Sequence, residues 1–275
     1  MGAEQRDPDN SHKRSPPETR NDVFIQRSIL VNLTYCGDTH TSGRPNNEDA
    51  FDMQQITENL AVFVVADGLG GHTSGEVASR LAVTSIIETV RALAPAHASC
   101  SAEEMKKIMK AGFLAAARSI ADDCSLHYEH SGMATTLLAA LINDTLDCVV
   151  AYAGDSRAYL GGTGLIQITK DHSYVQELFD RELITREELR LHPDKNIVTR
   201  IVSAIPVDPD MIDLTLGKNT LLLCTDGLTD ALPDEEIFRG IQDPDLPRVC
   251  RTLIDRSRAV NRDNTTVIVV RALSG

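Results

Sequence analysis

Leu60-Ala61-Val62-Phe63-Val64-Val65-Ala66-Asp67-Gly68 is the stretch on which the fold turns. Seven consecutive apolar residues, rich in β-branched and aromatic types, read as a strand buried on both faces. The run stops at an Asp-Gly pair, continues through Leu69-Gly70-Gly71, and meets a capping-box spacing at Thr73-x-x-Glu76. A carboxylate at the end of a buried strand is rigidly held and partly desolvated, which is costly unless a cation neutralises it.

The same grammar recurs. Leu221-Leu222-Leu223-Cys224-Thr225 runs into Asp226-Gly227, and Val149-Val150-Ala151-Tyr152-Ala153 runs into Gly154-Asp155. Asp263-Asn264 reverses the order, preceding an apolar strand at 265–270. One such aspartate is accounted for as a turn former or helix cap; four placements in one chain are not. Oxygen ligands without a His/Cys cluster favour the hard ions Mg²⁺ and Mn²⁺ over zinc. A pair of such ions suits in-line attack on phosphorus. Gly43-Arg44-Pro45-Asn46-Asn47-Glu48-Asp49 adds a lone guanidinium beside two carboxylates, a shape fit for bidentate phosphate recognition.

Outward from these motifs, β-rich runs at 29–36, 136–142, 147–153, 157–160, 165–169, 211–216, 220–225 and 265–271 predict further strands. Asn143-Asp144 and Gly161-Gly162-Thr163-Gly164 are turn chemistry and predict antiparallel hairpins. Helices are expected from the Thr73 box to about residue 93, and from Ser101-x-x-Glu104 through Ile120. Others follow Thr185-x-x-Glu188 and Pro233, and a last one spans 246–260. This is an α+β pattern, a sandwich of sheets covered by helices. Residues 1–26 are polar and aperiodic and are expected to be a disordered tail; 27–275 read as one domain.

The 275 residues are 42% hydrophobic and 24% charged with a net charge of -13, a globular composition that disfavours nucleic acid and anionic lipid as partners. No apolar run approaches the roughly 20 residues of a membrane span, and the first residues lack a secretory h-region. The six cysteines are scattered without a C-x-x-C pair and are expected as buried free thiols. A cytoplasmic monomer that does not contact a membrane is the resulting expectation.

Seven motifs in this order resemble the metal-dependent serine/threonine phosphatases of the PPM, or type 2C, family, in its bacterial branch. They are Arg44-x-x-x-Glu48-Asp49, Val65-Ala66-Asp67-Gly68-x-Gly70-Gly71, Ser131-Gly132-Met133-Ala134-Thr135-Thr136, Gly154-Asp155-Ser156-Arg157, Asp171-His172-Ser173, Thr225-Asp226-Gly227-Leu228-Thr229-Asp230 and Asp263-Asn264-x-Thr266. The resemblance covers the chain from about residue 28 onward. It implies a four-layer α-β-β-α sandwich of two antiparallel sheets flanked by helices. It also implies hydrolysis of phosphoserine and phosphothreonine by a hydroxide held between two Mg²⁺ or Mn²⁺ ions. By position, Asp67 would bridge the ions, the Gly68 carbonyl, Asp226 and Asp263 would complete their protein ligands, and Glu48 and Asp49 would hold accompanying water. Arg44 would grip the phosphate, and Asp155 and Asp230 match a third, weaker metal site. Residues 171–199 correspond to a flap beside the cleft. Leu69 stands where many eukaryotic members carry His, so no general acid is assigned. The implied partners are phosphorylated Ser/Thr proteins and a bacterial-type Ser/Thr kinase. The alternatives are a catalytically inactive scaffold of the same fold, or a small-molecule phosphatase.

Overall fold

The computed structural model of the chain describes residues 24–28, 32–69 and 74–273. Its twelve strands form two antiparallel sheets. The first runs in the order β1 (Phe24–Ser28), β2 (Leu33–His40), β12 (Thr265–Ala272), β11 (Thr220–Cys224), β8 (Arg157–Gly161), β9 (Leu165–Gln167). The second runs β10 (Asp210–Thr215), β7 (Asp147–Ala153), β6 (Leu137–Asn143), β4 (Leu60–Leu69), β3 (Asp49–Thr57), with the short β5 (Ala134–Thr135) pairing the end of β4.

The period-two alternation of strand side chains explains the layering. Along β4, Ala61, Phe63 and Val65 join Tyr35, Leu138, Leu221, Leu223 and Ile268 in a core between the sheets. Their neighbours Leu60, Val62, Val64 and Ala66 face the other way, onto α1 (Ser74–Leu93) and α2 (Ala102–Leu126). On the far side, Leu222 and Cys224 of β11 and Val267 and Val269 of β12 pack on α5 (Asp226–Ala231), α6 (Asp234–Gly240) and α7 (Leu246–Val260). The result is the four-layer sandwich that the motifs imply. α2 opens on the expected capping box of Ser101 and Glu104. Asn143-Asp144 and Gly161–Gly164 lie between the antiparallel pairs β6–β7 and β8–β9. Thr73, His72 and the 29–31 start of the first expected strand lie outside the described residues, as do residues 1–23 of the expected tail.

Three expectations change. β1 begins at Phe24, inside the stretch assigned to the tail, and pairs with β2. Cys36 and Cys250 are not free thiols but a disulfide joining β2 to α7 across 214 residues of sequence; Cys100, Cys124, Cys148 and Cys224 remain free. That pairing removes the cysteine argument for a reducing compartment. Asp67 does not follow its strand but lies inside β4, which runs on to Leu69, whereas Asp226 follows β11 as expected and starts α5. Between β9 and β10, α3 (Tyr174–Asp180) and α4 (Arg186–Leu191) form the excursion expected as a flap. Its ends meet through the bridge between Ser173 and Val198 and the hydrogen bond from Thr199 N–H to the His172 carbonyl, 2.7 Å. No helix among the described residues is long and apolar enough to cross a membrane.

Candidate active site

The site forms where β4 and β11 end side by side, one from each sheet. Asp49 opens β3 directly opposite Asp67 in the β3–β4 register. Like charges facing each other across a ladder repel, so this pairing needs either protons or cations. Asp67 is held at its backbone: Thr136 N–H and the Thr135 hydroxyl each donate to its carbonyl at 2.8 Å, and its own N–H donates to Thr136 Oγ1 at 2.9 Å. The hydroxyls of Thr225, between β11 and α5, and of Thr266, in β12, donate to Asp49 Oδ2 at 2.9 and 2.7 Å. Asp49 Oδ1 is buried and has no hydrogen-bond partner.

Glycine is required on both sides for contact, not for rotation. A Cβ on Gly68 would stand 2.1 Å from the Gly75 carbonyl oxygen, and one on Gly227 would stand 1.9 Å from that of Asn264. These close approaches bring the loop of Glu48 and the start of β12 against the two Asp-Gly corners. Gly68 N–H and the Ser79 hydroxyl both donate to the Glu48 carbonyl, at 3.1 and 2.6 Å. Asn264 laces the same loop: its amide donates to the Thr41 and Asn46 carbonyls, and its Oδ1 accepts Glu48 N–H at 2.8 Å. Arg44, on this loop, forms an ion pair with Asp263 at 2.8 Å.

The carboxylates sense one another. Burial, and then Asp49, Asp226, Asp155 and Asp263, push Asp67 well above the usual range. Burial followed by the charges of Asp230 and Asp263 moves Asp226 up to about 6, against a hydrogen bond it accepts from Asp67. Asp49 is pushed up to about 7, chiefly by burial and against its two threonine hydrogen bonds; Asp155 reaches about 8 through burial and the charge of Asp226. A cluster that must hold protons near neutrality is one that positive charge would stabilise. Among the described residues, no three acidic, His or Cys side chains already close into a cage. The unpartnered Asp49 Oδ1, the all-oxygen donor set and the facing Asp49–Asp67 pair fit hard ions such as Mg²⁺ and Mn²⁺.

Every residue singled out by motif, Arg44, Glu48, Asp49, Asp67, Gly68, Asp155, Asp226, Asp230 and Asp263, lies in or beside this cluster. A match to the family Protein phosphatase 2C spans residues 36–263. The chain belongs to that family. Over 229 residues it is 35% identical to the serine/threonine protein phosphatase PstP of Mycobacterium tuberculosis, covering 82% of this chain and 42% of that protein. It is 32% identical over 235 residues to the serine/threonine phosphatase stp of Listeria monocytogenes, covering 82% and 90% of the two. The chain thus spans less than half of the mycobacterial protein and nearly all of the listerial one. A crystal structure of the PstP catalytic domain in complex with two manganese ions superimposes with a TM-score of 0.74 at 30% identity, covering 88% of this chain and 99% of that one.

Within this phosphatase 2C site, some side chains were not marked by the motif reading. Asn264, Thr225, Thr266, Thr135 and Thr136 all sit inside quoted motifs, yet only the structure shows that they position the acids. Lys195 of the flap was not singled out at all. It forms an ion pair with Asp230 at 2.5 Å.

Proposed function

We propose that the chain is a metal-dependent protein phosphatase that hydrolyses phosphoserine and phosphothreonine. The observation that carries this is the facing pair Asp49–Asp67, with Asp49 Oδ1 buried and unpartnered, in a member of a phosphatase family. Asp67, the Gly68 carbonyl, Asp226 and Asp263 would hold two Mg²⁺ or Mn²⁺ ions, with Asp155 and Asp230 available to a third. When bound, the ions lower the pKa of water and neutralise charge on phosphoryl oxygens. Glu48 and Asp49 would accept hydrogen bonds from water accompanying the ions. Arg44, whose Nη2 pairs with Asp263, offers its N–H donors to the phosphate. Leu69 has no proton to give, so the leaving alkoxide takes its proton from water. The enzyme acts as a cytoplasmic monomer opposing a bacterial-type Ser/Thr kinase.

The test is hydrolysis of a phosphothreonine peptide with Mn²⁺, beside nucleotides at equal concentration. Turnover that EDTA abolishes and that favours the peptide supports the proposal. Full activity in EDTA would overturn the metal assignment. A strong preference for nucleotides would overturn the protein substrate, and no turnover at all would leave a scaffold. Arg44→Ala should mainly raise KM.

A further inference from the structure

The outward face of α7 is basic in a chain whose net charge is -13. Arg248, Arg251, Arg256 and Arg258 are exposed along it against a single acid, Asp255, and Arg262 follows in the turn that leads into β12. At the helical period, Arg248, Arg251 and Arg258 share a stripe with Asp255, while Arg256 projects about a third of a turn away. Some of this charge is answered locally: Arg258 pairs with Asp255 at 3.1 Å, and Arg248 lies 3.7 and 3.8 Å from Asp243 and Asp245. Arg262 is exposed and makes no ion pair among the described residues.

Its place is nonetheless fixed. Asn261 Oδ1 accepts the N–H groups of Arg262 and Asp263 at 2.7 and 3.1 Å, and the Asn261 amide donates to the Gly227 carbonyl at 3.0 Å. Gly43 N–H donates to the Arg262 carbonyl at 3.1 Å. The stem of Arg262 lies along Gly43, where an added Cβ would stand 2.9, 3.0 and 3.3 Å from its Cβ, Cγ and Cδ. The next residues on the same two segments, Arg44 and Asp263, form the ion pair beside the acidic cluster. Two guanidiniums thus rise from one rim, Arg44 held by an acid and Arg262 with a seated stem and a head that no acid meets. A seated stem has less freedom to lose when its head takes an anion.

We infer that Arg262 is a specificity-determining residue of the reaction proposed above: it takes an acidic side chain close in sequence to the phosphoresidue while Arg44 takes the phosphate. The inference rests on the protein-phosphatase reading. The surplus of acids over the whole chain repels an acidic segment, so a basic row that ends at the cleft both admits such a segment and orients it.

The experiment compares kcat/KM of the full chain with Mn²⁺, at low salt, on phosphothreonine peptides of one length flanked on both sides by glutamate, glutamine or lysine. Wild type should favour glutamate over glutamine about three-fold, through KM, the scale of one exposed ion pair, and the preference should shrink as salt rises. Arg262→Gln should bring that ratio to one, Arg262→Lys should restore part of it, and Arg262→Glu should turn it toward the lysine peptide. Arg256→Gln, off the stripe, should leave the ratio at its wild-type value. Each enzyme is its own reference, so damage common to all three peptides cancels. No glutamate preference in the wild type, or one that survives Arg262→Gln, overturns the inference. Turnover of p-nitrophenyl phosphate with none of the three peptides would instead overturn the protein-substrate reading, and this inference with it.

Discussion

Asp171 and Asp49 are buried to nearly the same degree, 9% and 7% exposed, yet their surroundings differ in kind. Asp171 receives a fork from Arg157, Nε at 2.9 Å and Nη2 at 2.6 Å, and the Gln167 amide at 2.9 Å. Burial alone would lower the basicity of Arg157, but the adjacent Asp171 outweighs it and keeps the guanidinium charged. Asp49 receives two neutral hydroxyls on one oxygen and nothing on the other, and it faces Asp67. One carboxylate is completed by the chain itself; the other waits for charge from outside. The first therefore builds structure at the base of the flap, and the second builds a receptor.

The sharpest way to break that contrast is to neutralise the second group. Asp67→Asn or Asp226→Asn should lower Mn²⁺-dependent hydrolysis of p-nitrophenyl phosphate on the order of a thousand-fold. The melting temperature in EDTA should hold or rise, because a repulsive charge is gone. A large fall in that temperature would mean the acids are structural after all. The opposite pattern is expected of Arg157→Met, which strands Asp171 and should cost about 3 kcal/mol by denaturant titration. Adding Asp171→Leu should recover much of the loss, because a buried pair is often replaceable by apolar residues.

Acidity offers a third handle. Asp226, Asp49 and Asp155 have folded values of about 6, 7 and 8, above the ordinary aspartate value. The folded protein thus holds more protons than the unfolded chain in this window, so stability is greatest on the acid side and is lost as pH rises through it. In EDTA the unfolding free energy should fall from about pH 4, where the unfolded chain loses these protons, to about pH 8, by about 1.4 kcal/mol per pH unit for each proton of difference. Saturating Mn²⁺ should flatten or reverse the slope; an unchanged slope would count against ions in the cluster. The mildest change is Asn264→Ala, which unlaces the Arg44–Glu48 loop. It should reduce kcat/KM about ten-fold, mostly through KM, as expected for lost positioning hydrogen bonds.

Strands with continuous apolar runs, such as β4 and β11, were legible because burial on both faces leaves no polar alternation to confuse the pattern. β3 was not: Asp52, Gln54 and Gln55 interrupt it, as befits a strand at the edge of its sheet. α3 and α5 are six or seven residues long, too short for a helical period to show. The acids themselves were visible through their position after apolar strands. Their supports were not, because Thr225 and Thr266 reach Asp49 across 176 and 217 residues of sequence. The Cys36–Cys250 bond escaped for the same reason: only the packing of α7 on β2 brings the two sulfurs together.

The threonine bridge has one more implication. Asp49 belongs to one sheet, while the hydroxyls that steady it come from β12 of the other and from Thr225 at the junction of β11 and α5, so the receptor sits on the seam of the sandwich like a pin through a hinge. Any shear between the layers would drag Oδ2 away from its donors and tilt Oδ1 with it. Amide protection of Thr225 and Thr266, deep in the opposing layer, should therefore report on filling of the pocket as directly as any assay of turnover.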